Sequence, residues 1–228
     1  MDKKIIGLIY GLSSVFIGQI LVIGYYVCIM KKKDANEIVN HFSRFEGLLL
    51  IGSYLSITYL GDLLPDSYYC WEGNIKWNHV LFQLMVQDFL QYIFHRLEHY
   101  FSFIYKHCHQ QHHQYREPKL LDAFKGSIMD TVFMILIPLW ITSRIIHTNL
   151  WSYMAFGTIY SSWLMLIHCE FNNPWDPLFQ KIGFGTSLDH RNHHKYLKYN
   201  YGHLCMYWDY LFGTLLIKKQ YLYNKHVD

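Results

Sequence analysis

Histidine is concentrated in two short stretches of this chain. His95 to His113, HRLEHYFSFIYKHCHQQHH, holds six of the 15 histidines, and His190 to His194, HRNHH, holds three more. Residues four apart on a helix share a face, so His95 and His99 can offer two imidazoles to one ion. His109, His112 and His113 add a pair at three or four residues' spacing, and the adjacent member turns toward a neighbouring site. His190, His193 and His194 repeat that HxxHH spacing. Eight neutral imidazoles exceed what one ion takes, since zinc uses four ligands and octahedral iron six. Two ions are the economical expectation. Imidazoles that leave open coordination positions suit iron and oxygen chemistry, and imidazole also suits zinc and copper. The Glu-x-x-His pattern of soluble di-iron bundles has no counterpart here.

A second reading starts from His95, Glu98 and His99, which match HxxEH. There two histidines hold zinc and the glutamate activates water for peptide hydrolysis. It leaves the other six clustered histidines without a role, so the two-ion reading is preferred. Asp88 lies two helical turns before His95 on the same face. A charge in an apolar helix is costly unless partnered, and the expected partner is the second ring nitrogen of a ligand histidine.

The elements that must position these groups are apolar. Ile5 to Met30 runs 26 residues without a charge, enough to cross roughly 30 Å of hydrocarbon at about 1.5 Å per residue. No small-residue cleavage pattern follows it, so a retained span is expected rather than a signal peptide. Gly47 to Leu64 and His79 to Phe94 read as a hairpin whose second helix runs out of the lipid into HRLEH. Met129 to Ser143 and Ile145 to His168 make another apolar pair, separated by Arg144 and interrupted by Pro138. If each hairpin crosses twice, both histidine stretches share a face with 16 of the 20 basic residues, Lys31, Lys32 and Lys33 among them. That bias predicts a cytosolic site.

A net charge of +3 with 52% hydrophobic residues gives no nucleic-acid surface. The five cysteines form no CxxC pair, which excludes a zinc ribbon and a disulfide framework. The expected fold is all-α: a multi-pass membrane helical bundle with a cytosolic histidine-rich di-metal cap. Its expected divisions are N-terminal spans and loops (1–78), a catalytic domain (79–215) and a tail (216–228).

The neighbours of the histidines carry a resemblance. Asp88, Tyr92, His95, Arg96 and His99 look like the D-x3-Y-x2-HR-x2-H helix of the fatty acid hydroxylase and sterol desaturase superfamily. Tyr105, Lys106, His109, His112, His113 and Pro118 are similar to its second segment. Tyr199, Asn200, Tyr201, Gly202, Trp208, Asp209 and Gly213 are in register with its closing segment. His168 is similar to a further family histidine and makes a ninth expected ligand. Asp130 corresponds to the acid of the family's HPxD or HPxE element, where this chain has Ser127 in place of the histidine. Asp88, Asp130 and Asp209 are expected behind the ligands.

The resemblance covers roughly residues 80 to 215 and implies two iron ions, with electrons arriving from NAD(P)H through a reductase and cytochrome b5. It also implies a sterol or other membrane lipid as substrate, and a location of endoplasmic-reticulum type. The YNYG run looks most like the sterol C5-desaturases, which implies a C5–C6 double bond introduced into a Δ7-sterol. Two alternatives stay open: a lipid hydroxylase or C4-methylsterol oxidase of the same superfamily, and a non-catalytic membrane protein, toward which only Ser127 leans.

Overall fold

The computed structural model describes residues 2–30 and 35–216. Lys31, Lys32 and Lys33, and nearly all of the expected tail, lie outside the described residues. The described part is built from helices and helical turns; its β structure is one isolated antiparallel bridge, Phe184 to Cys205.

The charge-free N-terminal run forms one unbroken 28-residue helix, α1 (Lys3–Met30). Its buried face carries Gly7, Gly11, Ser14, Gly18 and Gln19, small residues at three- and four-residue spacing with a polar group at one end. At Ser14 and Gly18 that stripe admits α8 (Leu150–Leu166) to close range, whereas Gly7 and Gly11 face Tyr59. A Cβ on Gly18 would lie 2.5 Å from the Thr158 carbonyl oxygen, and one on Gly157 would lie 2.7 Å from Ser14 Oγ. Thr158 Oγ1 donates to the Ser14 carbonyl at 3.0 Å across the same contact. Helices surrounded by hydrocarbon associate through such close approach, because apolar area alone gives them no preference for each other.

After α2 (Ala35–Ser43) and a π turn (Phe45–Leu49) comes α3 (Leu50–Leu60). The first arm of the expected hairpin is therefore short. Eleven residues of α3 rise only about 16 Å, and the chain leaves the helix at Gly61, with Asp62 in the left-handed region at φ 59°. The second arm is long: α4 (Trp77–Tyr100) has 24 residues.

α4 is polar inside and apolar outside. Gln83, Gln87, Asp88, Gln91, His95 and Glu98 are buried, whereas Trp77, Leu81 and Phe82 are more than half exposed. The buried glutamines are tied to neighbouring elements: Gln83 Nε2 donates to Tyr68 Oη at 3.2 Å and Gln87 Nε2 to Tyr160 Oη at 3.0 Å. Thr142 Oγ1 donates to Gln87 Oε1 at 3.2 Å. A soluble helix shows the reverse pattern.

Past α4 the chain turns through α5 (Ser102–Ile104), a π turn (Tyr105–His109) and a 3₁₀ turn (His112–Gln114). α6 (Ile128–Thr131) and α7 (Ile137–Ile145) then join through a π turn (Val132–Leu136) into a continuous rod. Pro138 directly follows the π turn and is carried within the rod without breaking it. Lys3–Met30 and Ile128–Ile145 are each long and apolar enough to cross a membrane. α9 (Asp176–Lys181), α10 (Ser187–Tyr196) and α11 (Tyr207–Leu211) form a cap over one end. α10 starts at a reciprocal cap: Asp189 N donates to Thr186 Oγ1 at 3.3 Å, and Asp189 Oδ2 accepts from Thr186 N at 3.1 Å.

Candidate metal centre

Nine histidines from four places in the chain converge between α4 and the cap. They separate into two groups, His95, His99, His109, His113 and His193 in one, and His112, His168, His190 and His194 in the other. Within each group the ligating atoms lie within 4.8 Å of one another. Each adjacent pair is divided: His113 and His193 go to the first group, His112 and His194 to the second.

The ring tautomers decide what these groups can do. His95 Nδ1–H donates to the Tyr201 carbonyl at 2.8 Å, and His193 Nδ1–H to the Tyr199 carbonyl at 2.7 Å. His112 donates to the Lys125 carbonyl at 2.8 Å and His168 to the Leu164 carbonyl at 2.6 Å. His109 Nδ1–H donates to Asp130 Oδ1 at 2.7 Å. A neutral imidazole carries one N–H, so the Nε2 atoms of all five rings are bare lone pairs.

Those lone pairs point at each other. The Nε2 atoms of His95 and His109 stand 3.0 Å apart, and those of His112 and His168 3.5 Å. With no proton available to lie between them, such pairs repel unless a cation sits beside both. Two nitrogens bound at about 2.1 Å and 90° to each other are separated by about 3.0 Å, so the spacing fits a shared ion. His99 to His113 at 3.0 Å and His190 to His168 at 3.0 Å extend the same spacing through each group.

Charge on the rings is disfavoured. Burial first, and then neighbouring histidines, push His109 and His190 below the usual imidazole range, and burial pushes His193 down to about 3. Neutral rings are what a metal requires.

The three carboxylates have different jobs. Asp130 braces His109 directly, as just described. Asp209 braces at one remove: it accepts from Tyr201 N at 2.8 Å and Gly202 N at 2.7 Å, fixing the loop whose Tyr201 carbonyl holds His95. Asp88 does not orient a histidine, contrary to the sequence expectation. It accepts from Leu204 N at 2.7 Å, Cys205 N at 3.0 Å and Trp208 Nε1 at 2.8 Å, and so pins the 204–208 loop to α4. The His95 nitrogen it was expected to meet already faces Tyr201.

Ser127 is used locally. Its Oγ accepts from Asp130 N at 3.0 Å as the cap of α6, and donates to the Cys108 carbonyl at 2.6 Å, next to His109. Glu98 is buried 3.4 Å from His109 Nδ1, behind the ring rather than in front of its Nε2. That placement sets Glu98 with Asp130 behind the His109 ring and outside the set of atoms that converge in the first group, which weighs against the protease reading.

A cavity of about 40 Å³ borders both groups and is lined by His109, His112, His168, His203, Gln91 and Met134, among others. His203 was missed in the sequence because it belongs to no spaced motif. A second, apolar cavity of about 30 Å³ lies deeper between α1, α3 and α8. Phe124, Ile135 and Leu164 line both.

With this geometry in hand, the comparisons become specific. The fatty acid hydroxylase family model matches residues 80–214, and the chain belongs to that family. It is 42% identical over 92% of its length to the alternative squalene epoxidase of Phaeodactylum tricornutum, spanning 66% of that protein. It is 31% identical over 61% of its length to the putative Delta(7)-sterol-C5(6)-desaturase 2 of Arabidopsis thaliana, spanning 48% of that protein. Methylsterol monooxygenase 1 of Rattus norvegicus is 26% identical over 78% of this chain, which spans 59% of that protein. The chain thus spans about half to two thirds of the length of these relatives. No solved structure matches it.

Proposed function

We propose that this chain is a membrane oxygenase that holds two iron ions and uses dioxygen to oxidise an apolar lipid. His95, His99, His109, His113 and His193 would hold the first ion, and His112, His168, His190 and His194 the second. The observation that carries the reading is the facing of bare Nε2 lone pairs, 3.0 Å apart for His95 and His109 and 3.5 Å apart for His112 and His168. An iron pair supplies reductive activation of dioxygen, with electrons from NAD(P)H through cytochrome b5 and its reductase.

The chain's own residues do the rest. Backbone carbonyls and Asp130 fix the tautomers of His95, His109, His112, His168 and His193, so those five rings spend no proton on a neighbour. The apolar wall of Phe124, Ile135 and Leu164 excludes water and separates the site from the deeper cavity. Both cavities are smaller than a lipid chain, so a substrate entering between α1, α3 and α8 would have to move those three side chains aside.

A multi-pass placement in an endoplasmic-reticulum-type membrane, with the site facing the cytosol, is part of this proposal. The apolar outer face of α4 and the two helices long and apolar enough to cross support it.

The first substrate to test is squalene, because the longest and most similar stretch reported above is shared with an alternative squalene epoxidase. Epoxidation joins one oxygen atom to a carbon–carbon double bond while two electrons and two protons reduce the other to water. C5-desaturation of a Δ7-sterol is the second reading, supported by the Tyr199–Gly202 run and the plant desaturase relative. Expression in a yeast lacking its own squalene epoxidase, and separately in one lacking its C5-desaturase, separates the two by gas chromatography. Squalene epoxide in the first host supports the first reading; Δ5,7-sterol in the second supports the other. Neither product from a membrane-inserted, iron-loaded protein would overturn both.

A further inference from the structure

The cavity beside the two groups contains an imidazole that neither group uses. The His203 ring centroid lies 5.0 Å from that of His95 in the first group and 5.2 Å from that of His190 in the second. Such separations are typical within each group, yet its nitrogens do not join either set of converging atoms.

The backbone around His203 is held from several sides. Its carbonyl accepts from Trp163 Nε1 at 2.9 Å, and the next two amides, Leu204 and Cys205, both end on Asp88. The ring is buried and lines the cavity with His109, His112 and His168. Its Nδ1 has no hydrogen-bond partner among the described residues. A buried polar atom left unpaired costs about 1–3 kcal/mol, so a fold that immobilises it this firmly is expected to offer it to something. The space is large enough for a molecule of two or three atoms and too small for a lipid.

We propose that His203 is a hydrogen-bonding residue for a small ligand of the dioxygen or azide type held between the two ion positions, and is not itself an ion ligand. The inference rests on the two-ion reading given above. It assigns to the closing loop a part in the site, in addition to its carbonyl support of His95.

The test uses the full chain, purified in detergent and loaded with cobalt(II), with azide as the probe. Metal content is read by elemental analysis and azide affinity by visible absorption. His203→Leu is expected to keep both ions and to bind azide about tenfold more weakly, a change of about 1.4 kcal/mol. His203→Gln, which retains a donor, is expected to stay within about threefold of the parent. Should His203→Leu fail to fold, His203→Ala against His203→Gln gives the same comparison.

Loss of an ion in the folded Leu or Ala variant would make His203 a ligand and overturn the proposal. Unchanged azide affinity with both ions present would overturn it equally. Failure of the parent chain to take up two ions would instead defeat the underlying site reading, and this inference with it.

Discussion

Asp209 reaches His95 through the backbone of a single residue. Its Oδ1 accepts from Tyr201 N at 2.8 Å, and the Tyr201 carbonyl accepts from His95 Nδ1 at 2.8 Å. The same carboxylate also takes the Gly202 amide and the Thr214 hydroxyl. Asp209→Asn sets an NH₂ group against one of two converging amides. Affinity for the first ion is expected to fall about tenfold or more, the lower end of what outer partners of metal-bound histidine contribute. Competition with a chelator of known affinity measures it, and an unchanged affinity would break the proposed relay.

Asp130 and Asp88 separate by the same measurement. Asp130→Asn removes the carboxylate behind His109 and is expected to weaken the first ion directly. Asp88→Asn leaves every histidine partner in place and disturbs the 204–208 loop instead. Its expected signature is a lowered melting temperature with metal affinity changed less than in Asp130→Asn.

Neighbours in sequence should serve different ions. Under the proposed assignment His193→Ala costs the first ion and His194→Ala the second, each leaving about one ion per chain. Elemental analysis checks the stoichiometry. The double variant His193→Ala, His194→Ala retaining as much metal as either single variant would show that the two groups are not two sites.

Ser127 stands where the family's pattern has histidine, and its present work is structural. Ser127→Ala removes the cap of α6 and the tie to the Cys108 carbonyl. A loss of about 0.5–2 kcal/mol is expected, as for other N-cap serines, read as a drop in thermal midpoint with both ions retained. Loss of an ion would instead assign the residue a direct part in holding it.

The contact between α1 and α8 is steric before it is anything else. Gly18→Leu drives a branched side chain into the Thr158 carbonyl and Ser161 hydroxyl. Because backbone is struck, the cost is expected at or above the roughly 1–3 kcal/mol of ordinary overpacking. Thermal unfolding in detergent checks it, with Gly24→Leu as the control, since a Cβ there meets nothing within 4 Å.

The site was legible to the extent that its chemistry is local. Spacing alone put His95 with His99, and the adjacency of His112 with His113 implied two centres. Two of the carboxylates were less legible, because Asp88 and Asp209 work mainly through backbone amides that carry no side-chain signature, whereas Asp130 meets His109 itself. Asp88 is two turns from His95 in sequence, but its donors lie more than 110 residues away at Leu204 and Cys205. His203 escaped notice because one histidine after a glycine has no period to betray it. Of the fold, the long apolar runs of α1 and α8 were visible, whereas the shortness of α3 depends on where Gly61 and Asp62 let the chain turn.

The sharing of α10 between the two groups sets an order of assembly. His193 completes the first group and His190 and His194 the second, while their partners lie in α4, the following turns and the end of α8. Neither chelate can close until the C-terminal third has docked on the earlier helices. The first ion would then cross-link α4 to α10, and the second would tie α10 to the His112 turn and the end of α8. Loading the metal thus becomes the last step of folding, and a protease that cuts the 199–206 loop should find the loaded chain resistant and the stripped chain open.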